Sequence, residues 1–182
     1  MITDKQVMIL GAGNMGSCLL GGICRAKLVP PDDIIITGLR KDYLESLAGQ
    51  WGVHWTTDNK KAVEQADVIM LCLKPQAIGR VLTEIKGYLN PNQLIITIAA
   101  GVTTSYISAQ IDSVNPVVRV MPNIASLVDE GAAAISVGVH GEDHHLEITA
   151  QIFRAVGRVV FVREDLLDAV TGLSGSGPAY IY

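Results

Sequence analysis

Residues Gly11-Ala12-Gly13-Asn14-Met15-Gly16 constrain this chain more than any other stretch. Four apolar residues, Val7 to Leu10, lead into them as a buried strand does, and Met15, Leu19, Leu20, Ile23 and Cys24 follow at helical spacing. This is the G-x-G-x-x-G pattern in the strand–turn–helix setting that gives it meaning. Gly11 permits a tight turn, Gly13 lets backbone approach a pyrophosphate, and Gly16 lets helix and strand pack closely. Amides at the helix N-terminus would meet the phosphate charge. The stretch is read as a dinucleotide site in preference to a purely structural turn.

The rest of the chain reads as the fold such a turn belongs to. Strand patterns at 34–37, 53–55, 67–73, 94–98, 116–121, 132–137 and 158–162 alternate with helical ones. Residues 67–73 (DVIMLCL) form a continuous apolar run, as in a central parallel strand covered on both faces. Pro122 is expected to stop the sixth strand, and Thr103 or Thr104 to cap the helix after the fifth. Gly157 is expected to end the helix built on Leu146, Ile152, Phe153 and Val156 as its C′ residue. The alternation predicts an α/β protein: a Rossmann-type, doubly wound, mostly parallel sheet. Residues 165–170 then read as helical, and 173–180 (LSGSGPAY) as a loop feeding a new helix with Pro178 at its start.

The end of the second strand decides which cofactor suits the turn. An NAD site usually places Asp or Glu there to bind the ribose hydroxyls. Here the chain reads Thr37-Gly38-Leu39-Arg40-Lys41, and Asp32 and Asp33 precede the strand, at its wrong end. Arg40 and Lys41 could meet a 2′-phosphate instead, Arg with bidentate contact, or simply be solvated residues opening a helix. NADP is favoured, with NADPH preferred and NADH still open. Ligands in such sheets sit beyond the carboxyl ends of the strands. Three segments end there in small residues or proline: 72–75, 98–101 and 121–123.

Other chemistries fit less well. A net charge of -4 without a Lys/Arg run argues against nucleic acid. No apolar run approaches the ~20 residues of a membrane span. Asp4 and Lys5 stand before only a short apolar strand, unlike a signal peptide, so a cytoplasmic location is expected. Cys18, Cys24 and Cys72 lack metal-type spacing and read as reduced, buried thiols. His140, His144 and His145 surround Gly141-Glu142-Asp143 but match no ligand spacing, so they read as solvated loop histidines and no metal is expected. His54 reads as structural. Ser174-Gly175-Ser176-Gly177 is not the G-x-S-x-G elbow and no histidine follows it, which disfavours a serine hydrolase.

GAGNMG at 11–16, CLKPQ at 72–76, AAGV at 99–102, RVMPN at 119–123 and above all DAVTGLSGSGPAY at 168–180 resemble pyrroline-5-carboxylate reductase. The resemblance spans essentially the whole chain, in the family's order. It implies reduction of 1-pyrroline-5-carboxylate to proline by hydride transfer from NADPH or NADH, the last step of proline biosynthesis. It implies that Leu10, Gly11, Ala12, Gly13, Asn14, Met15 and Gly16 line the pyrophosphate, that Gly38 to Arg40 border the adenosine ribose, and that Asn59 contacts the adenosine side. Cys72, Leu73, Lys74 and Pro75, with Ile98, Ala99 and Ala100, would border the nicotinamide. Asn123, Ser174, Gly175, Ser176 and Gly177 would lie close to the imine, with no catalytic acid named.

The resemblance also implies a division into residues 1–163, the NADP-binding domain, and 164–182, the start of a helical domain that in the family makes a homo-oligomer and completes the substrate pocket. For a chain stopping there, dinucleotide binding is expected to outlast turnover and tight dimerisation. The last few residues are expected to be poorly ordered or packed on a neighbour. Two other readings stay open: a dinucleotide-binding module without turnover, and another imine or beta-hydroxyacid reductase on the same fold.

Overall fold

Val7 and Ile9 point to one side of a sheet, Met8 and Leu10 to the other, and the central strands repeat the division. Ile36, Met70, Ile96 and Val118 share the first side; Ile69, Leu71, Ile95 and Val117 share the second. A sheet apolar on both faces has to be covered twice. In this computed structural model, which describes residues 2–180, helices do so on each side. On the first lie α1 (Asn14–Arg25), α2 (Lys41–Trp51) and α6 (Asp143–Arg154), seated through Leu20, Leu44 and Phe153. On the second lie α3 (Asn59–Gln65), α4 (Pro75–Ile85) and α5 (Thr104–Ile111), seated through Val63, Leu82 and Ile107.

The strands are β1 (Val7–Leu10), β2 (Ile34–Thr37), β3 (His54–Thr56), β4 (Val68–Leu71), β5 (Leu94–Thr97), β6 (Val117–Pro122), β7 (Gly131–Val137) and β8 (Gly157–Phe161). The described residues order them β3-β2-β1-β4-β5-β6-β7-β8. From β3 to β6 all pairs are parallel; β7 runs antiparallel to β6, and β8 parallel to β7. This is the Rossmann-type, mostly parallel sheet expected. Because β1 lies between β2 and β4, the winding reverses beside it, and a crevice opens beyond its carboxyl end.

Two local expectations change and a third resolves to one of its two alternatives. Pro122 does not stop β6 from outside but closes it, opposite Ala133. Thr103, rather than Thr104, caps α5, accepting the Tyr106 N–H at 3.1 Å. Gly157 is not a left-handed helix cap. It opens β8 at φ 154°, because any Cβ there would collide with the Gly131 carbonyl as the two strands meet.

The end of the chain also differs from the expected loop. After a 3-10 turn at Glu164–Leu166 come the short helix α7 (Leu167–Val170), a π-helical turn at Thr171–Gly175 and a 3-10 turn at Gly177–Tyr180. The widened turn is held by the Thr171 hydroxyl donating to the Leu167 carbonyl and by the Ser176 N–H donating to the Thr171 carbonyl, each at 2.8 Å. Gly175 rests on Met121, whose Cε would stand 2.7 Å from a Cβ at that position. The expected helix also runs into Ile181 and Tyr182, which lie outside the described residues.

The start of α6 is a capping box. The His145 Nδ1 accepts the Glu142 N–H at 3.0 Å, while the Glu142 side chain answers the N3 amide. Burial and the neighbouring His144 lower the His145 pKa from 6.5. The unfolded chain therefore binds more protons just below pH 6.5, so this contribution is present above that value and lost as pH falls. Caps of this kind are worth about 1 kcal/mol. The thermal midpoint should drop by about 2–4 °C on acidification towards about pH 5. His145→Gln keeps an acceptor without titrating and should abolish that step in a calorimetric pH series.

Candidate functional site

At the end of β1 the Thr37 carbonyl accepts two amides, from Gly11 at 3.1 Å and Ala12 at 2.9 Å. The backbone reaches that position only with Gly11 at φ 100°, where a Cβ would stand 2.6 Å from the Cys72 carbonyl oxygen. Gly16 is pressed against the Gly11 carbonyl so closely that a Cβ would collide with it. Gly13 is different: a Cβ there would meet nothing within 4 Å. Its open side faces a cleft of about 550 Å³ lined by Gly11, Ala12, Gly13, Gly38, Leu39 and Arg40 and closed by Cys72 to Lys74. Helix α1 has no side-chain cap, and among the described residues the amides of Asn14, Met15 and Gly16 meet no acceptor. A cleft with three free amides at a 12-residue helix fits a dinucleotide pyrophosphate.

The end of the cleft beside β2 is cationic and aromatic. Arg40 stands at the N-cap of α2 with its guanidinium carbon 4.7 Å from the centre of the Tyr43 ring. The Tyr43 hydroxyl lies 3.2 Å from Ser17 Oγ on α1, so the ring is held as a wall of the cleft. Asp32 and Asp33 sit before β2, at the opposite sheet edge, and no acid follows Thr37 until Asp42. Asn59 does not line the cleft; its side-chain amide donates to Glu84 at 3.2 Å from the start of α3. Sequence reasoning left out Tyr43, Leu44 and Ala77, which do line it. Tyr43 carried a readable signal, falling one helical turn after Arg40.

At the other end, Leu73 and Lys74 line the cleft and Pro75 opens α4. Ile98 donates to the Leu71 carbonyl at 3.4 Å, Ala99 is buried and bonded to Thr97 Oγ1, and Ala100 is exposed. Burial pushes the Cys72 thiol up to about 12. Cys18 and Cys24 are likewise raised by burial, and the Cys18 thiol donates to the Ser126 carbonyl at 2.9 Å. All three residues are half-buried, not buried as the sequence pattern suggests. None is a thiolate near neutral pH, so none is a nucleophile. His144 and His145 stack at 3.7 Å beside Glu142, and among the described residues no three His, Cys, Asp or Glu are grouped to hold a metal.

The candidate substrate residues meet. Asn123, at the end of β6, donates from Nδ2 to Ser174 Oγ at 3.4 Å and accepts the Ala132 N–H at 3.0 Å. Ser174 also lines an apolar groove of about 250 Å³ between the terminal segment and the strands, with Ala132, Val160, Val170 and Leu173. Gly175 lies on Met121, whereas a Cβ at Gly177 would meet nothing within 4 Å. Since β1, β4, β5 and β6 are parallel, Asn123, the Cys72 to Pro75 segment, the Ile98 to Ala100 segment and the glycine turn share one sheet edge. Arg119 is a further residue that the sequence reading did not single out. It is a buried cation in an apolar strand, reaching Asp168 at 2.8 Å.

A reversing parallel sheet with a glycine-turn cleft at its carboxyl edge defines a dinucleotide-binding domain of the oxidoreductase type. Residues 6–101 match the family described as NADP oxidoreductase coenzyme F420-dependent. The chain belongs to this family, and the relatives it matches are pyrroline-5-carboxylate reductases. It is 40% identical to that of Methanosarcina acetivorans over 98% of this chain and 66% of the relative. It superposes on the Coxiella burnetii pyrroline-5-carboxylate reductase with a TM-score of 0.92 and 35% identity, covering 97% of this chain and 66% of that one. The Plasmodium falciparum pyrroline carboxylate reductase with NADP bound gives a TM-score of 0.87 at 28% identity, covering 98% and 65%. The chain thus spans just under two thirds of these relatives, at 65–66%.

The glycines make a prediction that separates binding from folding. Gly13→Val points into open space, so it should abolish dinucleotide binding while changing stability by no more than about 0.5 kcal/mol. Gly11→Val should lose binding too, but with about 1–3 kcal/mol or more of destabilisation from its forced φ and its clash. Cofactor titration and denaturant unfolding of both variants check this. The cysteine environment makes another. At neutral pH an alkylating reagent should leave Cys72 unmodified in the folded protein and label it on unfolding, read by mass spectrometry.

Proposed function

We propose that this chain binds NADPH along the cleft and forms the cofactor side of a site that reduces 1-pyrroline-5-carboxylate to proline. One observation supports this most: the Asn123–Ser174 contact stands on the same sheet edge as the glycine-turn cleft, in a chain whose relatives are pyrroline-5-carboxylate reductases. In this reading the free amides of Asn14, Met15 and Gly16 hold the pyrophosphate, while Gly38 and Arg40 border the ribose with Tyr43 as backing. Asn59 supports the adenosine side through α3. Cys72 to Pro75 and Ile98 to Ala100 flank the nicotinamide, and Asn123 with Ser174–Gly177 receives the imine. Residues 1–163 are read as the cofactor domain, and 164–182 as part of the substrate side.

When bound, the dinucleotide supplies a hydride to the imine carbon, and the imine nitrogen carries the proton. A protonated cyclic imine is already electrophilic, so the chain's own groups need only hold it near attack distance and keep its carboxylate oriented. Well-oriented reactions gain about 7–11 kcal/mol in this way. The groups at the imine position are amides and hydroxyls, namely Asn123, Ser174 and Ser176, which orient without taking a proton. The whole protein is read as a homo-oligomer, and the free thiols suit a reducing cytoplasm. Among the described residues no helix is long and apolar enough to cross a membrane.

Arg40 decides the cofactor preference. NADPH should bind more tightly than NADH. Arg40→Ala should weaken NADPH about ten- to hundredfold, the scale of a lost charge-assisted contact, and leave NADH nearly unchanged. Equal affinities untouched by Arg40→Ala would refute the preference. NADPH oxidation dependent on pyrroline-5-carboxylate supports the reductase reading. NADPH binding without such oxidation supports a dinucleotide-binding module instead.

A further inference from the structure

Arg119 is a charge inside the sheet to which the reading above gives no task. By strand alternation it shares the face of Val117, opposite Val118 and Val120, and its side chain is 4% exposed. Its Nη2 donates to Asp168 Oδ1 at 2.8 Å, and its Nη1 lies 3.7 Å from Glu164 Oε1. Glu164 in turn accepts two bonds from Thr104 at the start of α5, the amide at 2.7 Å and the hydroxyl at 2.6 Å. Three pieces of chain therefore converge on one guanidinium. One is α5, which follows the Ile98 to Gly101 segment. The second is β6, which ends at Asn123. The third is the terminal segment, in which Asp168 stands six residues before Ser174.

Pairing a buried guanidinium with partly exposed carboxylates contributes little net stability, and well-packed apolar side chains often do as well or better. A guanidinium does what an apolar side chain does not: it has fixed donor directions and demands particular acceptors. Glu164 and Asp168 are four residues apart, so they fall on one side of the turning segment and only one rotation of it presents both. That rotation carries Thr171 to Ser176 onto Met121 and sets Ser174 against Asn123.

We infer that Arg119 is a positioning residue: through Asp168 and Glu164 it fixes the turn at 171–177 against Asn123 and against the segment after β5. The inference rests on the reading that these segments hold the imine and the nicotinamide. In it, the segments that carry the two reacting partners are registered to one buried cation instead of to each other.

The test is nuclear magnetic resonance on labelled protein, comparing the wild type with Asp168→Ala, Arg119→Lys and Arg119→Met. Asp168 is largely exposed, so Asp168→Ala leaves the core intact and carries the test even where Arg119→Met does not fold. Asp168→Ala and Arg119→Met should speed exchange of the Ser176 amide about tenfold and move the Asn123 carboxamide signals. Arg119→Lys keeps the charge but not the fork of fixed donors, so it should leave both readouts disturbed, though less than Arg119→Met. The amides of Asn14, Met15 and Gly16 and the NADPH titration should stay unchanged throughout. Unchanged Ser176 exchange and Asn123 signals in Asp168→Ala would overturn the inference. So would an Arg119→Lys spectrum indistinguishable from wild type, or equal disturbance of the glycine turn. Failure of the wild-type chain to bind NADPH would instead remove the cofactor reading, while the Ser176 and Asn123 signals still report on the clamp.

Discussion

The Thr37 carbonyl, holding the amides of Gly11 and Ala12 at once, is the contact on which the cleft depends. It pins the chain leaving β1 to the end of β2 and forces the left-handed conformation that Gly11 alone accepts without strain. With that turn fixed, α1 has to start beside it, and the missing side chain of Gly16 lets the helix settle on the Gly11 carbonyl. The first helix amides are left free as a result, because no preceding helical turn supplies their acceptors. The arrangement has a cost within the same residue. The Thr37 hydroxyl is fully buried and has no partner among the described residues, a loss of about 1–3 kcal/mol in a typical interior. The carbonyl's two bonds and the packing of α1 outweigh it.

Away from the turn, the sheet works by simple alternation as far as β6. Beyond it the rule changes on one face only. Helix α6 covers the first side of β7 and β8 through Ile152 and Phe153, as α1 and α2 cover the earlier strands. On the second side α3, α4 and α5 have run out, and Arg119, Ser136 and Ala134 lie there by register. The terminal segment fills that place with a buried Leu167, a π-helical turn and an ion pair, where a full amphipathic helix would bring an apolar stripe. Its outward residues remain exposed: Leu173 at 79%, Tyr180 at 72% and Val160 on the adjoining strand at 57%. Surfaces of this kind mark where further protein packs.

The parts of the structure legible in the sequence were those written in local periodicity. The run from Val7 to Leu10, the glycines and the apolar spacing after them fix a strand, a turn and a helix within twenty residues, and neighbours alone decide them. The missing acid after β2 was equally readable, since it is a statement about four adjacent residues. What escaped depended on partners far along the chain. Nothing near Arg119 foretells Asp168, 49 positions away, although a lone arginine in VVRVMP is itself a warning that something charged must face it. Gly157 was misread because its role is set by Gly131 across the sheet, not by the helix it follows. The turn at Thr171–Gly175 looked like a loop from its serines and glycines. Its hydrogen bonds and its seat on Met121 are tertiary facts.

The division of the site explains why these long-range contacts bear on function. The glycine-turn cleft is built by the segments that follow β1, β2 and β4, each anchored within a few residues of its strand. In the proposed reading the imine side rests on Asn123 and on a turn more than fifty residues further along, joined among the described residues by a hydrogen bond of 3.4 Å. A reaction whose barrier is lowered chiefly by placing two atoms in line is sensitive to errors of about 1 Å. A single weak bond to a mobile hydroxyl does not hold that tolerance, and apolar packing around Leu167 restrains depth better than rotation. The directional contact available to the terminal segment from inside the sheet is the guanidinium of Arg119. A positive charge in an otherwise apolar strand is thus the feature that most directly connects how the domain folds to how it would place its substrate.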